Sequence, residues 1–239
     1  MPTKRICLWS GPRNISTALM YSFAQRSDTA VVDEPLYAHY LSVSDASEYH
    51  PGAKKVLLSQ ENDGKKVIAS MLENDKAPVI FYKHMAHHLT GLDLNFLNST
   101  VNIILTREPR EMITSFAKVI PNPSLKDLGY KQQVELFETL KSMEQVPIVL
   151  DSKKILINPE KALRNLCNRL EIPFQNEMLR WKAGARKEDG IWAEHWYKNV
   201  HESVGFAPYT PKNDIISDDL KDVLEKAEGL YDILIRNSI

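Results

Sequence analysis

A short apolar run, Ile6-Cys7-Leu8-Trp9, passes directly into Ser10-Gly11-Pro12-Arg13-Asn14-Ile15-Ser16-Thr17 and then into a helical pattern marked by Ile15, Leu19 and Phe23. No other feature of the chain constrains the fold as much. A strand that turns at once into a helix buries both elements only if the helix packs back onto a sheet. The segment also has chemical character. First-turn N–H groups of a helix lack partners inside it, and the helix dipole favours an anion there. Arg13 adds a guanidinium that forks onto phosphate-type oxygens, and Ser16 and Thr17 add hydroxyls. The segment therefore predicts a cradle for a phosphate-like group. The plain alternative is an ordinary strand-to-helix turn with a surface arginine.

The rest of the chain repeats the alternation. Strands are expected at Arg5–Trp9, Thr29–Val32, Val79–Tyr82, Val101–Thr106 and Ile148–Leu150. These runs are short, continuous and rich in β-branched residues, which suits parallel strands covered on both faces. Helical patterns occupy Ser16–Gln25, Lys65–Glu73, Pro109–Val119, Leu128–Met143, Pro159–Leu170 and Asp218–Ile235. The expected fold is α/β: a three-layer, doubly wound, mostly parallel sheet with helices on both faces. With 239 residues and no break in composition, the chain reads as a single domain spanning 1–239. The irregular aromatic stretch 181–211 is expected to form a closing loop or lid.

Charge narrows the partners. Thirty basic and 31 acidic residues leave a net charge of −1. No nucleic-acid or membrane-surface partner is expected, and any anion site must be local. No apolar run approaches the roughly 18 residues of a membrane span. Cys7 and Cys167 both sit in apolar patterns and read as buried thiols. A reducing, cytoplasmic setting is the expectation.

A second group of residues lies farther on. Arg107 stands at the carboxyl end of the strand Val101–Thr106, where open α/β sheets bind ligands. Ser115 falls eight residues later, about two helical turns along. The pair would clamp a second phosphate; alternatively, Arg107 neutralises Glu108 or Glu111 and Ser115 lies on a polar face. A third group closes another strand as Lys83-His84-Met85-Ala86-His87-His88. An imidazole with a pKa of about 6.5 suits proton removal near neutrality. His84 is the first candidate for that role and His87 the second, although either could be a hydrogen-bonded structural histidine. His84 and His88 share the spacing of a zinc-binding helix, but no glutamate stands between them and no third ligand clusters nearby. No metal site is expected.

Taken in order, these segments resemble the sulfotransferases that use 3′-phosphoadenosine 5′-phosphosulfate (PAPS). Pro12-Arg13-Asn14-Ile15-Ser16-Thr17 is similar to that family's 5′-phosphosulfate loop, Pro-Lys-Ser-Gly-Thr-Thr. Arg107 and Ser115 match its 3′-phosphate arginine and serine in spacing. The stretch Asp151–Phe174, with Asn158-Pro159-Glu160 and Leu170-Glu171-Ile172-Pro173, resembles its strand-loop-helix segment. Trp181-Lys182-Ala183-Gly184 through Asp189-Gly190-Ile191-Trp192 is similar to the loop that closes over the 3′-phosphate. Asp33-Glu34-Pro35 resembles an element that the family places near the acceptor.

The resemblance implies a P-loop NTPase-like fold of the sulfotransferase type. It implies transfer of a sulfuryl group from PAPS to a hydroxyl or amine of a small-molecule acceptor, releasing adenosine 3′,5′-bisphosphate (PAP). Gly11, Pro12, Arg13, Asn14, Ile15, Ser16, Thr17, Arg107, Ser115, Lys182 and Gly184 would then bind the nucleotide. His84 or His87 would take the acceptor proton, with Lys83 and Arg13 stabilising charge. No metal is required on this reading, because a sulfuryl group carries less negative charge than a γ-phosphoryl. The sequence departs from the pattern in three places: Arg13 replaces a lysine, Ile15 replaces a glycine, and the strand-end histidine is displaced. A P-loop small-molecule kinase and a catalytically silent nucleotide-binding module of the same fold remain the alternatives.

Overall fold

The computed structural model describes residues 2–211 and 215–239. Five strands, β1 (Lys4–Ser10), β2 (Thr29–Asp33), β3 (Val79–Met85), β4 (Val101–Thr106) and β5 (Ile148–Asp151), form one sheet in the order β2-β3-β1-β4-β5. Every pairing in it is parallel. Helix α1 (Ser16–Phe23) follows β1, and α2 (Tyr37–Ser42), α3 (Ala53–Ser59) and α4 (Gly64–Glu73) lie between β2 and β3. Between β4 and β5 come α5 (Pro109–Phe116), α6 (Leu125–Leu128) and α7 (Tyr130–Ser142). After β5 come α8 (Ser152–Ile157), α9 (Pro159–Arg169), α10 (Ala193–Trp196), α11 (Lys198–His201) and α12 (Lys221–Ile235).

The sheet is covered on both faces because its strands are apolar on both. Along β1, Ile6 and Leu8 pack with Leu19, Phe23, Leu163 and Leu166 beneath α1 and α9. Cys7 and Trp9 point the other way, into a cluster with Val67, Met71, Leu136, Leu140 and Leu234 from α4, α7 and α12. Burying each of these large side chains contributes about 1.5–3 kcal/mol. The indole N–H of Trp9 is satisfied at 3.0 Å by Asn102 Oδ1 on β4. The layered, doubly wound arrangement read from the sequence is therefore the one observed. Central β1 has β3 on one side and β4 on the other, and its first connection leaves toward β2 while β4 lies beyond the opposite edge. A ligand crevice opens where connections diverge in this way, outside the carboxyl ends of the strands.

The differences are local. Helices α2, α3 and α8 are six or seven residues long, too short to carry a clear 3.6-residue period. The pattern at Leu128–Met143 divides at Gly129, whose φ of 74° ends α6 and opens α7. Among the described residues no helix is long and apolar enough to cross a membrane.

Candidate active site

The cradle begins where β1 ends. Gly11 leaves no room for a side chain: a Cβ there would lie 2.8 Å from the carbonyl oxygen of Leu128. Two left-handed residues, Arg13 (φ 56°) and Ile15 (φ 32°), flank Asn14. Positive φ at a β-branched residue is an outlier that costs on the order of 1–2 kcal/mol. That cost explains why the similar family loop carries glycine where this chain has Ile15. Asn14 holds the turn by donating to the Leu105 carbonyl on β4 at 2.6 Å. Helix α1 then starts with no side-chain cap, so its first-turn N–H groups and its dipole face the loop.

Two guanidiniums converge on this turn. Arg107 donates through Nη1 to the Arg13 carbonyl at 2.6 Å, which locks the loop to the end of β4. Its other edge donates to Glu111 Oε2 at 3.2 and 2.9 Å. Arg107 thus neutralises Glu111, as the alternative reading expected, and at the same time touches the loop. Arg13 donates to Ser115 Oγ at 3.2 Å and to the Trp196 carbonyl at 3.3 Å. Among the described residues no carboxylate pairs with Arg13, and burial together with the nearby Arg107 charge presses its pKa down. It is the uncompensated cation of the site. Glu111 also accepts from the Tyr209 hydroxyl at 2.8 Å, tying a late segment of the chain to Arg107.

A second group of side chains gathers at the ends of β2 and β3. Lys83 is fully buried and donates to Asp33 Oδ1 at 3.0 Å, to Glu34 Oε1 and to the Tyr197 hydroxyl at 2.6 Å. Tyr197 donates in turn to Asp33 at 2.8 Å and accepts from the Trp192 indole at 3.1 Å. Burial pulls the Lys83 pKa down, but the Asp33 and Glu34 charges outweigh it and hold the ammonium above its ordinary value. One cation between two carboxylates leaves a negative excess. Burial, helped by the Asp33 charge, raises Glu34 to about 7 against the pull of Lys83.

The histidines divide by strand alternation. His84 shares the Tyr82 face of β3, is fully buried, and stacks on Trp9 with centroids 4.3 Å apart. It does not line the cavity, and burial lowers its pKa to about 3. The first-choice base of the sequence analysis thus lies behind the site, because a one-residue step along a strand reverses the side chain. The 3₁₀ turn Ala86–Leu89 brings His87 and His88 to the cavity instead. Burial lowers His87 to about 3 and holds His88 well below its ordinary value. A Cβ placed on Gly129 would lie 3.7 Å from both Gly11 Cα and His87 Nδ1, which sets His87 beside the start of the loop.

One cavity of about 460 Å³ joins the two groups. Pro12, Arg13, Asn14, Ile15, Ser16, Thr17, Lys83, His87, Arg107 and Ser115 line it, as do Glu34, Tyr37, His50, His88, Trp192 and Tyr197. Four residues singled out from sequence do not: Gly11 is buried under the turn, His84 faces the core, and Lys182 and Gly184 are exposed. The backbone N–H of Gly184 is bonded to the His201 carbonyl at 2.7 Å. The cavity wall is built instead by Trp192, Trp196 and Tyr197 and by Gly205–Thr210. The aromatic run Trp192, Trp196, Tyr197 was the sequence signal for the former. His50, within a stretch without chemical signature, gave none.

Fold and site define a class: a parallel α/β domain with two guanidiniums and an uncapped helix start at the carboxyl edge of its sheet. Comparison with known proteins makes it specific. A sulfotransferase-domain profile matches residues 4–236, and the chain belongs to that family. Two Arabidopsis thaliana proteins, branched-chain-amino-acid aminotransferase-like proteins 1 and 2, are 43% and 39% identical over 230 and 228 residues. The match covers 95% of this chain and 40% of each of those proteins, so the chain spans well under half the length of these relatives. A sulfotransferase from Alicyclobacillus acidocaldarius superposes with a TM-score of 0.58 at 11% identity, covering 100% of this chain and 98% of that one. The sulfotransferase domain of the Synechococcus PCC 7002 olefin synthase gives 0.55 at 17% identity, with 94% of each chain covered. A mouse sulfotransferase complexed with PAP gives 0.50 at 11% identity, over 98% of this chain and 85% of that one.

Proposed function

We propose that this protein transfers a sulfuryl group from PAPS to a hydroxyl or amine of a small-molecule acceptor. The observation that carries the reading is the guanidinium of Arg13, which meets no carboxylate among the described residues, set beside Arg107 over the uncapped start of α1. Such a concentration of positive charge in a buried loop is stable in the presence of an anion. PAPS, when bound, supplies the sulfuryl group: a bond forms from the acceptor atom to sulfur as the bond from sulfur to the phosphate oxygen breaks. The loop 12–17, Arg13 included, would hold the 5′ end of the donor, and Arg107 and Ser115 its 3′-phosphate. The family membership and the PAP-bound mouse relative support the same donor. The cavity falls within the range of roughly 300–1,000 Å³ typical of small-molecule sites.

The chain's own groups then divide the work. First-turn N–H groups of α1, with Ser16 and Thr17, stabilise charge on the transferring group by preorganised dipoles. Glu34, raised to about 7 and facing the cavity, takes the acceptor proton near neutral pH. Lys83 fixes the Glu34 carboxylate and limits its charge. His87, neutral and beside the loop, orients the acceptor. Glu34 is assigned as the base ahead of either histidine because burial lowers both imidazoles to about 3. A thermal-shift panel tests the reading. Stabilisation by PAP in the presence of EDTA is the expected result; stabilisation only by magnesium-ATP would point to the kinase, and by neither ligand to a silent module.

A further inference from the structure

Three ring nitrogens at the cavity wall have no hydrogen-bond partner among the described residues: Nδ1 of His87 and both nitrogens of His88, whose Nε2 stands 3.8 Å from Glu34 Oε2. The two residues are 5% and 0% exposed. An unsatisfied buried polar atom costs about 1–3 kcal/mol, so a cluster of them persists where a ligand completes it. The rings are held in fixed orientations. His88 stacks on Tyr37 with centroids 5.2 Å apart, and His87 packs on Tyr40 at 4.5 Å. The Tyr37 hydroxyl is in turn 2.9 Å from His50 Nδ1.

The chemistry of the missing partner follows from what surrounds these nitrogens. A neutral imidazole offers one donor and one acceptor, and burial keeps the rings neutral. A hydroxyl both donates and accepts through a single oxygen, and so matches either nitrogen. A carboxylate or phosphate only accepts. It would also meet Glu34 and Asp127 on the same wall. Against the upward push of burial, hydrogen bonds from Tyr49 and Ser124 hold Asp127 below its ordinary value, and so ionised. Among the described residues the cation there is Lys83, already engaged by Asp33, Glu34 and Tyr197. An ammonium only donates, and an apolar alcohol would leave most of the ring nitrogens unpaired.

Resting on the sulfotransferase reading above, we infer that the acceptor is an uncharged polyol, a molecule of the sugar or cyclitol kind, whose hydroxyls seat on His87 and His88 while one of them meets Glu34. The test is calorimetry on the full chain saturated with PAP, titrated with methyl glucoside, myo-inositol, gluconate, glucosamine and para-nitrophenol. At least one of the two uncharged polyols is expected to bind about tenfold tighter than the anionic, cationic and apolar probes. His88→Leu is expected to weaken that binding about tenfold, and His88→Gln, which keeps a donor and an acceptor, by less than about threefold. PAP binding by each variant reports whether it is folded. If His88→Leu loses its fold, the ranking of the five probes on the wild type decides. PAP binding combined with no polyol binding, or with gluconate, glucosamine or nitrophenol ranked first, overturns the inference and leaves the donor reading standing. Failure to bind PAP at all overturns both.

Discussion

The two halves of the cavity handle charge in opposite ways. At the loop, a guanidinium meets no carboxylate among the described residues, backbone donors are presented uncapped, and two residues hold left-handed geometry to keep them there. At the histidine wall, carboxylates outnumber the buried ammonium. Lys83 is enclosed by Asp33, Glu34 and Tyr197, and the imidazoles are neutral. One half is short of negative charge, while the other is short of hydrogen-bond partners. On the proposed function, the contrast separates attraction for an anionic donor from selection of an acceptor.

Substitutions sharpen or break that separation. The largest effect is expected from Glu34→Gln, which removes the proposed base: kcat should fall by about 10²–10⁴-fold. PAP affinity should remain within about twofold, because the loop is untouched. An equal loss in both quantities would mean that the two halves act as one unit. Arg13→Ala comes next, with an expected loss of about 10²–10³-fold in kcat/KM and a parallel loss of PAP affinity by calorimetry. Arg13→Lys should recover only part of this, since an ammonium cannot fork across Ser115 and the ligand.

Acidity separates the halves in a different way. Activity is expected to rise with pH through about 7 as Glu34 loses its proton. Stability should run the same way for another reason. His84 and His87 are lowered to about 3 and His50 to about 4, with His88 also well below its ordinary value. The unfolded chain therefore binds more protons than the native one below a pH of about 6.5. Their contribution is fully present above that value and is lost as pH falls toward the native pKa values. Glu34, raised in the native state, acts with the opposite sign between about 4.3 and 7, but it is one group against four. The melting temperature should drop by more than about 5 °C between roughly pH 7.5 and 5.5. A flat profile would show that the imidazoles are solvated.

The smallest effect is assigned to Ile15→Gly. Relief of left-handed strain offsets lost packing of Ile15 against the core, so stability should stay within about 1 kcal/mol by urea denaturation. A loss well above that would show that Ile15 is held mainly by packing.

The framework of the molecule was legible where periodicity speaks. Val101–Thr106 is a strand from end to end, and the alternation of Ile6 and Leu8 with Cys7 and Trp9 anticipates two covered faces. Arg107 and the Arg13 loop, far apart in sequence, could be placed at strand ends from the same pattern, and the structure brings them to 2.6 Å. What stayed hidden depends on short turns. His84 and His87 look equivalent in sequence, yet one extends a strand and the other follows a 3₁₀ turn, which reverses their surroundings. Glu34 takes a φ of 41° immediately after β2, and no local pattern announces a carboxylate bent toward Lys83. The late wall of the cavity is formed by Gly205–Thr210 rather than by Lys182 and Gly184, because its position is set by the Tyr209–Glu111 contact, a tertiary event.

The most direct test is calorimetric titration of PAP into the wild type and Arg13→Ala in metal-free buffer. The account predicts saturable one-to-one binding by the wild type, weakened by about 10²-fold or more in the variant. Equal binding by both proteins, or no heat from either, would contradict it.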